Sequence, residues 1–437
     1  MTSESILCYE FDQLVSSDAF LQEAENTRVV PRKVFDLLDK MARGASNSGS
    51  LAWLRPSSRR GIAAIQLTSY VGVVRLADGT QIEILPKVGK DKSGGETSAR
   101  ILLLNMLQSM GDFRHIKTGR ADLLATKRSL LEVFIGEFLQ ATETVVKRGL
   151  RGDYLNIEGN VFALRGKLQI SKNLRHNVVR RDRFYVEYDR FSVNRPENRL
   201  IHTALNRVLL YSALPSHQRL GKELSLAFVN VPVSQNPQYD LTQVRFDRGM
   251  NVYREAINWA RLIIRSMSPL TGIGSNQAMS MVYPMQDIFE AFVRDHLQSQ
   301  VNHPYVLRSQ IRRHSLVSHR AQDWFLLKPD LVVFDSKKAQ VVMDTKWKLI
   351  DEGKADTKAK YNLAQSDFYQ MHAYGQAYLE GQGDVVLIYP KTDKFDKALD
   401  VFNFPKLRGL RLWVLPFCLE SKRLSLPQCG SLNLLFG

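Results

Sequence analysis

The stretch KPDLVVFDSKKAQVVMDTKWK, Lys328 to Lys348, sets two carboxylates and a lysine inside two apolar runs. Asp330 opens the first run. Asp344 stands near the end of the second, two residues before Lys346. Strand side chains alternate between faces, so Val342, Asp344, Lys346 and Lys348 are predicted on one face and Val341, Met343, Thr345 and Trp347 on the other. Asp344 and Lys346 then project together, about 6.5–7 Å apart along the strand. Antiparallel pairing of the two runs would bring Asp330 beside Asp344. Adjacent carboxylates repel and burial raises their pKa values; a divalent cation relieves both. Mg²⁺ suits such a pair, with Mn²⁺ as an alternative, because it takes oxygen ligands and keeps waters for reaction. A lysine beside the metal can stabilise a pentacovalent phosphate and help orient or deprotonate the attacking water. The chemistry these residue types fit is phosphodiester hydrolysis. The plainer reading is a surface hairpin with ordinary Asp/Lys pairs.

The flanking segments bear on that choice. Glu290, in DIFEAFVRDHL, sits among core-type Ile288, Phe289, Phe292 and Val293. It is a candidate third metal or water ligand, or an exposed acid paired with Arg294 at i,i+4. Gln370 and Tyr374 share one face of a predicted helix after the hairpin. Gln370 is a candidate for positioning phosphate or metal-bound water; the alternative is a hydrogen-bonded helix glutamine. Asp367 and Lys348 read as surface or supporting residues. Trp347, Tyr369, Tyr374 and Tyr378 read as core or interface rather than as base-stacking platforms.

The chain around these residues has 437 residues, enough for two or three domains of ~100–200 residues each. Its formal net charge of +16 favours a polyanionic partner, nucleic acid before an anionic membrane. No run reaches the roughly 18 apolar residues of a spanning helix, and the start MTSESILCYEFDQL lacks a signal-peptide pattern. Cys8, Cys418 and Cys429 form no CxxC, and the nine histidines no HExxH. Both facts argue against a zinc site and fit a reduced, cytoplasmic setting.

The elements that must position the candidate residues follow from the patterning. SYVGVVRLADGTQIEILPKV, Ser69 to Val88, predicts a hairpin around Asp78-Gly79, a dipeptide suited to a type I′ turn. The loop Gly89 to Ser98 is not a phosphate loop, because Ile84 stands where GxxxxGK[ST] needs glycine; the chain is expected to have no nucleotide site of its own. Helices are predicted over SLLEVFIGEFLQATETVVKRG, over Glu197 to Leu214 and over Tyr253 to Met267. Lys147 to Arg190 is a basic stretch with interleaved aromatics, suited to phosphates and bases or to a solvated face. SPLTGIGSNQ, Ser268 to Gln277, reads as a domain boundary. The rest reads helix, strand, strand, helix, strand, an α/β unit with helices packed on a sheet.

Pro329-Asp330, Asp344-Thr345-Lys346 and Gln370 to Tyr374 together resemble the PD-(D/E)xK nuclease superfamily. VGVVRLADGTQIEILPK, NVFALRGKL, YDRFSVNRPENRLIHTAL, MQDIFEAFV and VVLIYPK extend the likeness over roughly residues 65–395, where the chain is similar to the McrC family, the nuclease subunit of the McrBC modification-dependent restriction system. The resemblance implies an α+β multidomain chain. Residues 1–125 would be a β-rich partner-binding region including the hairpin, 126–270 a mainly helical basic region, and 271–437 a PD-(D/E)xK α/β nuclease domain. It implies an endonuclease subunit that docks on an McrB-like hexameric AAA+ GTPase, stimulates its GTP hydrolysis and cuts modified double-stranded DNA. Asp330 and Asp344 would hold Mg²⁺, with Lys346 assisting the water. A non-catalytic DNA-binding adaptor of an AAA+ motor is the competing class. A stand-alone RNA-binding protein lacks an RNP-type or GxxG signature.

Overall fold

The two apolar runs are the strands Leu331–Asp335 and Lys338–Thr345, antiparallel with Leu331 opposite Met343. The computed structural model describes residues 5–19, 26–48, 53–76, 78–89, 95–114, 116, 128–266, 279–336, 338–405, 409–428 and 430–437. The two strands lie within a seven-stranded sheet in the order Val306–Ser309, Leu331–Asp335, Lys338–Thr345, Gly383–Pro390, Leu410–Cys418 and Phe402–Asn403, with Arg423–Leu424 also on Leu410–Cys418. Lys338–Thr345, Gly383–Pro390 and Leu410–Cys418 run parallel. Parallel strands are covered on both faces, which is why VVLIYP reads as a continuous apolar run.

Each face takes one helix. Met285–Leu297 sets Ile288, Phe289, Phe292 and Val293 against Leu331, Val333, Val341 and Met343. Its acid Asp287 lies in the first turn and Arg294 and His296 in the last, matching the helix dipole. Gln365–Leu379 sets Met371, Tyr374 and Tyr378 against Val332, Val342, Val385 and Leu387 on the other face. It stops where Glu380 and Gly381 take left-handed backbone angles, φ 55° and 78°. Burying each such aliphatic or aromatic side chain is worth about 1.5–3 kcal/mol, so strand alternation decides which helix each residue faces.

The predicted N-terminal hairpin forms from Tyr70–Arg75 and Gln81–Leu85. Its turn is wider than the expected two-residue loop: Leu76 N–H donates to Thr80 O at 2.9 Å and Gly79 N–H to Leu76 O at 3.0 Å, with Gly79 at φ 91°. Ser5–Tyr9 joins one edge in parallel, and Met279–Pro284 joins the other. The latter strand leads directly into Met285–Leu297. At that seam a Cβ on Gly72 would stand 2.0 Å from Met281 O, and Gly72 holds φ 136°, so only glycine lets the two strands meet. The hairpin side chains Val71, Val73, Val74, Ile82, Ile84 and Leu85 are all buried. They form core between sheets, so the hairpin's strands offer little side-chain surface to a partner. A second four-stranded sheet, in the order Thr27–Val30, Gln13–Ser16, Ile62–Leu67 and Leu54–Arg59, lies beside the helix Arg32–Ser48.

The middle segment has the predicted helices, Leu130–Lys147, Pro196–Tyr211 and Asn251–Arg265, plus Pro215–Ala227. It also carries a three-stranded antiparallel sheet, Asp153–Val161, Phe184–Ser192 and Lys167–Leu168, inside the basic stretch. The first strand alternates Leu155, Ile157 and Val161 with Asn156, Glu158 and Asn160 but is mostly exposed, and the aromatics and charges of Phe184–Ser192 follow no period of two, so an apolar-period reading passed the sheet over. The Ser268 to Gln277 loop, the boundaries expected near 125 and 270, residues 90–94 and Cys429 lie outside the described residues. Among the described residues, no helix is long and apolar enough to cross a membrane.

Candidate active site

Asp330 follows the buried Pro329 at the mouth of the sheet, and its Oδ2 accepts from Thr345 N–H at 2.8 Å and Thr345 Oγ1 at 2.7 Å. Those two bonds fix the carboxylate against the end of the neighbouring strand. Asp344 is 2 % exposed. The Lys346 ammonium forms an ion pair with Asp344 Oδ2, although no hydrogen bond of good geometry reaches that oxygen. Lys346 Nζ donates to Gln370 Oε1 at 3.0 Å, and Gln370 Nε2 donates to Asp344 Oδ1 at 3.2 Å and to Tyr374 OH at 2.8 Å. Asp330, Asp344, Lys346 and Gln370 therefore converge, drawn from two strand ends and one helix.

Burial, and then the neighbouring Asp330 charge, push the Asp344 carboxyl up to about 7 against the pull of Lys346. A buried carboxylate beside a second carboxylate costs stability, and a bound cation would relieve that cost. Burial pushes Tyr374 up to about 12, so its hydroxyl stays protonated and donates to Lys328 O at 3.0 Å.

Glu290 approaches from the opposite helix. It is half-buried, and Gln310 Nε2 donates to it. Burial, then the Asp330 charge, raise its pKa. The alternative of an Arg294 partner is not realised: Arg294 pairs with Asp295 at 3.3 Å. Gln310 N–H also donates to Asp330 O at 3.0 Å, tying Glu290 to the same corner. A cleft of about 260 Å³ lined by Met110, Asp287, Glu290, Arg294 and Gln310 opens there. Among the described residues, no three His, Cys, Asp or Glu side chains are gathered tightly enough to hold a metal ion by themselves. Two carboxylates plus waters are the usual complement for Mg²⁺; Asp344 Oδ2 and Asp330 would supply them, with the Lys346 ammonium standing at Oδ2 in this structure.

Asp367 is not a surface acid. It is 5 % exposed, accepts from Lys348 Nζ at 2.8 Å and from Tyr389 OH at 3.2 Å, and adds to the negative field at Asp344. Gln286 went unnoticed in the sequence. Its Nε2 donates to Thr345 O and its Oε1 accepts from Trp347 N–H at 2.9 Å, clamping the backbone on both sides of Lys346. Its signal, a polar residue in the first turn of an apolar helix, is shared by many ordinary helix starts.

A family model described as McrBC 5-methylcytosine restriction system component matches residues 65–390. Among solved structures, the chain is similar to one in a refined half-complex from the tetradecameric assembly of Thermococcus gammatolerans McrB AAA+ hexamers with bound McrC. The TM-score is 0.69 at 20% identity, over 95% of this chain and 94% of that chain. A chain of the cryo-EM structure of the Thermococcus gammatolerans McrBC complex gives a TM-score of 0.49 at 21% identity, over 66% of this chain and 85% of that one. No curated protein matches. At such identities the likeness is one of fold.

Proposed function

This chain belongs to the McrBC family of 5-methylcytosine restriction system components, and from that premise we propose that it is the family's McrC-like nuclease subunit, a metal-dependent endonuclease that works with an McrB-like AAA+ GTPase hexamer. Its C-terminal segment is read as a PD-(D/E)xK nuclease. The observation that carries the reading is the convergence of Asp330, Asp344, Lys346 and Gln370 at one end of the sheet.

Asp330 and Asp344, with Glu290 nearby, are the residues that would hold Mg²⁺. Such an ion, when bound, would supply charge against the scissile phosphate and lower the pKa of a coordinated water. The chain's own groups do the rest. Thr345 holds Asp330 in one orientation, and Gln370 holds the Lys346 ammonium beside Asp344. Lys346 then faces the negative charge that grows on the phosphate as water adds to phosphorus and one P–O ester bond breaks. Its donors are pre-placed, so little reorganisation opposes the step. Glu290, whose pKa burial and the Asp330 charge raise, would in its ionised form be a stronger base than an ordinary glutamate and could take a proton from the attacking water. The partner, GTP hydrolysis stimulated on it, the modified DNA and a cytoplasmic setting come with the family reading.

The test is plasmid cutting with the partner GTPase, GTP and Mg²⁺. Asp344→Ala and Lys346→Ala are expected to abolish cutting while still assembling with the partner; undiminished cutting by either would overturn the assignment. The competing reading, a non-catalytic adaptor, is favoured by one observation, the Lys346 ammonium seated on Asp344 Oδ2. A Mn²⁺ titration separates the two, because an adaptor's site would bind it poorly.

A further inference from the structure

We infer that the hairpin His314–His319/Gln322–Leu327 is a DNA-contacting wing that enters a groove of the duplex beside the scissile phosphate. The inference rests on the nuclease reading and names the surface that would grip its substrate.

The hairpin pairs with itself alone, as a two-stranded sheet. Both its faces are open: Leu316, Val317, Trp324, Phe325 and Leu326 are 46–70% exposed. A lone two-stranded hairpin is marginal in water, so something must hold this one, and it is held at its base. Tyr378 OH donates toward Ile311 O at 3.1 Å and Leu327 O at 3.2 Å, and the His314 ring stands edge-on to Tyr378 at 4.5 Å. Tyr374 holds Lys328 O. Gln370, Tyr374 and Tyr378 recur every four residues on one helix face, so a single stripe ties the catalytic lysine to the foot of the hairpin. The second strand ends at Leu327, three residues before Asp330. A ligand on the hairpin is therefore in register with the site.

Its chemistry fits one kind of occupant. Residues 306–328 carry Arg308, Arg312, Arg313, Arg320 and Lys328 against the single acid Asp323, and all five basic residues are exposed. Asp323 accepts from Ser315 Oγ at 3.0 Å. Arg320 and Ala321 make the tip, both with left-handed backbone, φ 51° and 60°. Phe325, at φ 58° and 70% exposed, is a bulky side chain in a costly conformation that displays it to solvent. Strain spent on exposing an aromatic is a mark of function. A basic two-stranded ribbon with aromatic side chains on display matches a duplex groove, where cations meet phosphates and rings meet bases.

The experiment measures binding of the full-length chain to a short fluorescein-labelled duplex by anisotropy, without divalent metal. Phe325→Ala with Arg320→Glu is expected to weaken binding about tenfold, as for one lost base contact and one lost phosphate contact, and to flatten the salt dependence. Phe325→Trp with Arg320→Lys should restore both. Thermal unfolding, read beside it, should be unchanged because neither side chain is buried. Affinity within twofold of the parent overturns the inference. So does retained duplex binding with lost association to the AAA+ partner, which would make the hairpin a protein-docking element. Asp344→Ala keeps the hairpin intact: if that variant still cuts DNA while duplex binding depends on the hairpin, the catalytic reading fails and the wing stands.

Discussion

The Trp347 indole N–H donates to both carboxylate oxygens of Glu10, at 3.0 Å each, across 337 positions of chain. Trp347 lies immediately after Lys346, and Glu10 immediately after the strand Ser5–Tyr9. Lys87 N–H and Ser69 Oγ also donate to Glu10, at 3.1 and 3.2 Å. One buried carboxyl thus joins the strand Ser5–Tyr9, the end of the N-terminal hairpin and the chain just past the strand Lys338–Thr345.

Burial raises the Glu10 pKa above its ordinary 4.5, with the Lys87 ammonium and the Trp347 bond pulling the other way. A raised carboxyl keeps its proton in the folded state where the unfolded chain has lost it. Stability from this group is therefore full below 4.5 and falls as pH rises through the folded value. Glu10→Gln should flatten that fall in thermal unfolding measured against pH. Glu10→Ala also strands the indole N–H and should cut DNA more slowly than Glu10→Gln. Equal cutting by Ala, Gln and parent would mean that the bond does not position Lys346.

Gln286 is expected to matter by position alone. Gln286→Ala frees the backbone on both sides of Lys346 and removes two hydrogen bonds worth about 1 kcal/mol each. DNA cutting should fall about 10–100-fold, as for a small misplacement of a catalytic group, with duplex affinity held. A fall in affinity matching the fall in rate would show that Gln286 serves binding instead.

These contacts also show what the sequence could reveal. Asp330, Asp344 and Lys346 were legible because strand parity and an antiparallel register place them together without any knowledge of distant chain. Gln370 followed from helical spacing. Glu10 and Gln286 were not legible: each reaches the site through tertiary contacts whose partners lie far off or on backbone atoms, and neither leaves a period in the sequence. The exposed sheet of the middle segment was missed for a different reason: Leu155, Ile157 and Val161 do alternate with Asn156, Glu158 and Asn160, but Phe184–Ser192 mixes aromatics and charges on both faces, and the whole stretch was read for its charge. The burial of the N-terminal hairpin was not legible because its two faces are covered by elements outside it: Val71, Val73 and Leu85 pack with Leu103 and Leu107, and Val74, Ile82 and Ile84 with Val34, Leu38 and Ile65.

Asp344 should couple stability to metal. It is buried, raised to about 7 and faced by a second carboxylate. In metal-free buffer above that value, Asp344→Asn removes the repulsion with Asp330 but also the partner of the Lys346 ammonium, so its melting temperature should stay within a few degrees of the parent. Adding Mg²⁺ or Mn²⁺ should raise the melting temperature of the parent and leave the variant unmoved. A parent insensitive to both ions, or a variant stabilised equally by them, would remove the metal from the site.

The middle sheet offers the last contrast. Phe162, Leu164, Ile170, Leu174, Val178 and Val179 are 60–90% exposed within one short stretch. The strands of the N-terminal hairpin are buried, so this exposed stretch is proposed as a docking face for the AAA+ partner beside the rest of the N-terminal region. Val179, 90% exposed, can be charged without disturbing the core. Val179→Asp should weaken association with the partner about 10–100-fold, as for a lost apolar contact plus a charge held from water. Melting temperature and duplex binding should stay as in the parent. This is the reverse of the pattern expected for Arg320 and Phe325, so the two surfaces separate in a pair of assays. Partner association unaffected by Val179→Asp would return the search for the docking face to the N-terminal sheets.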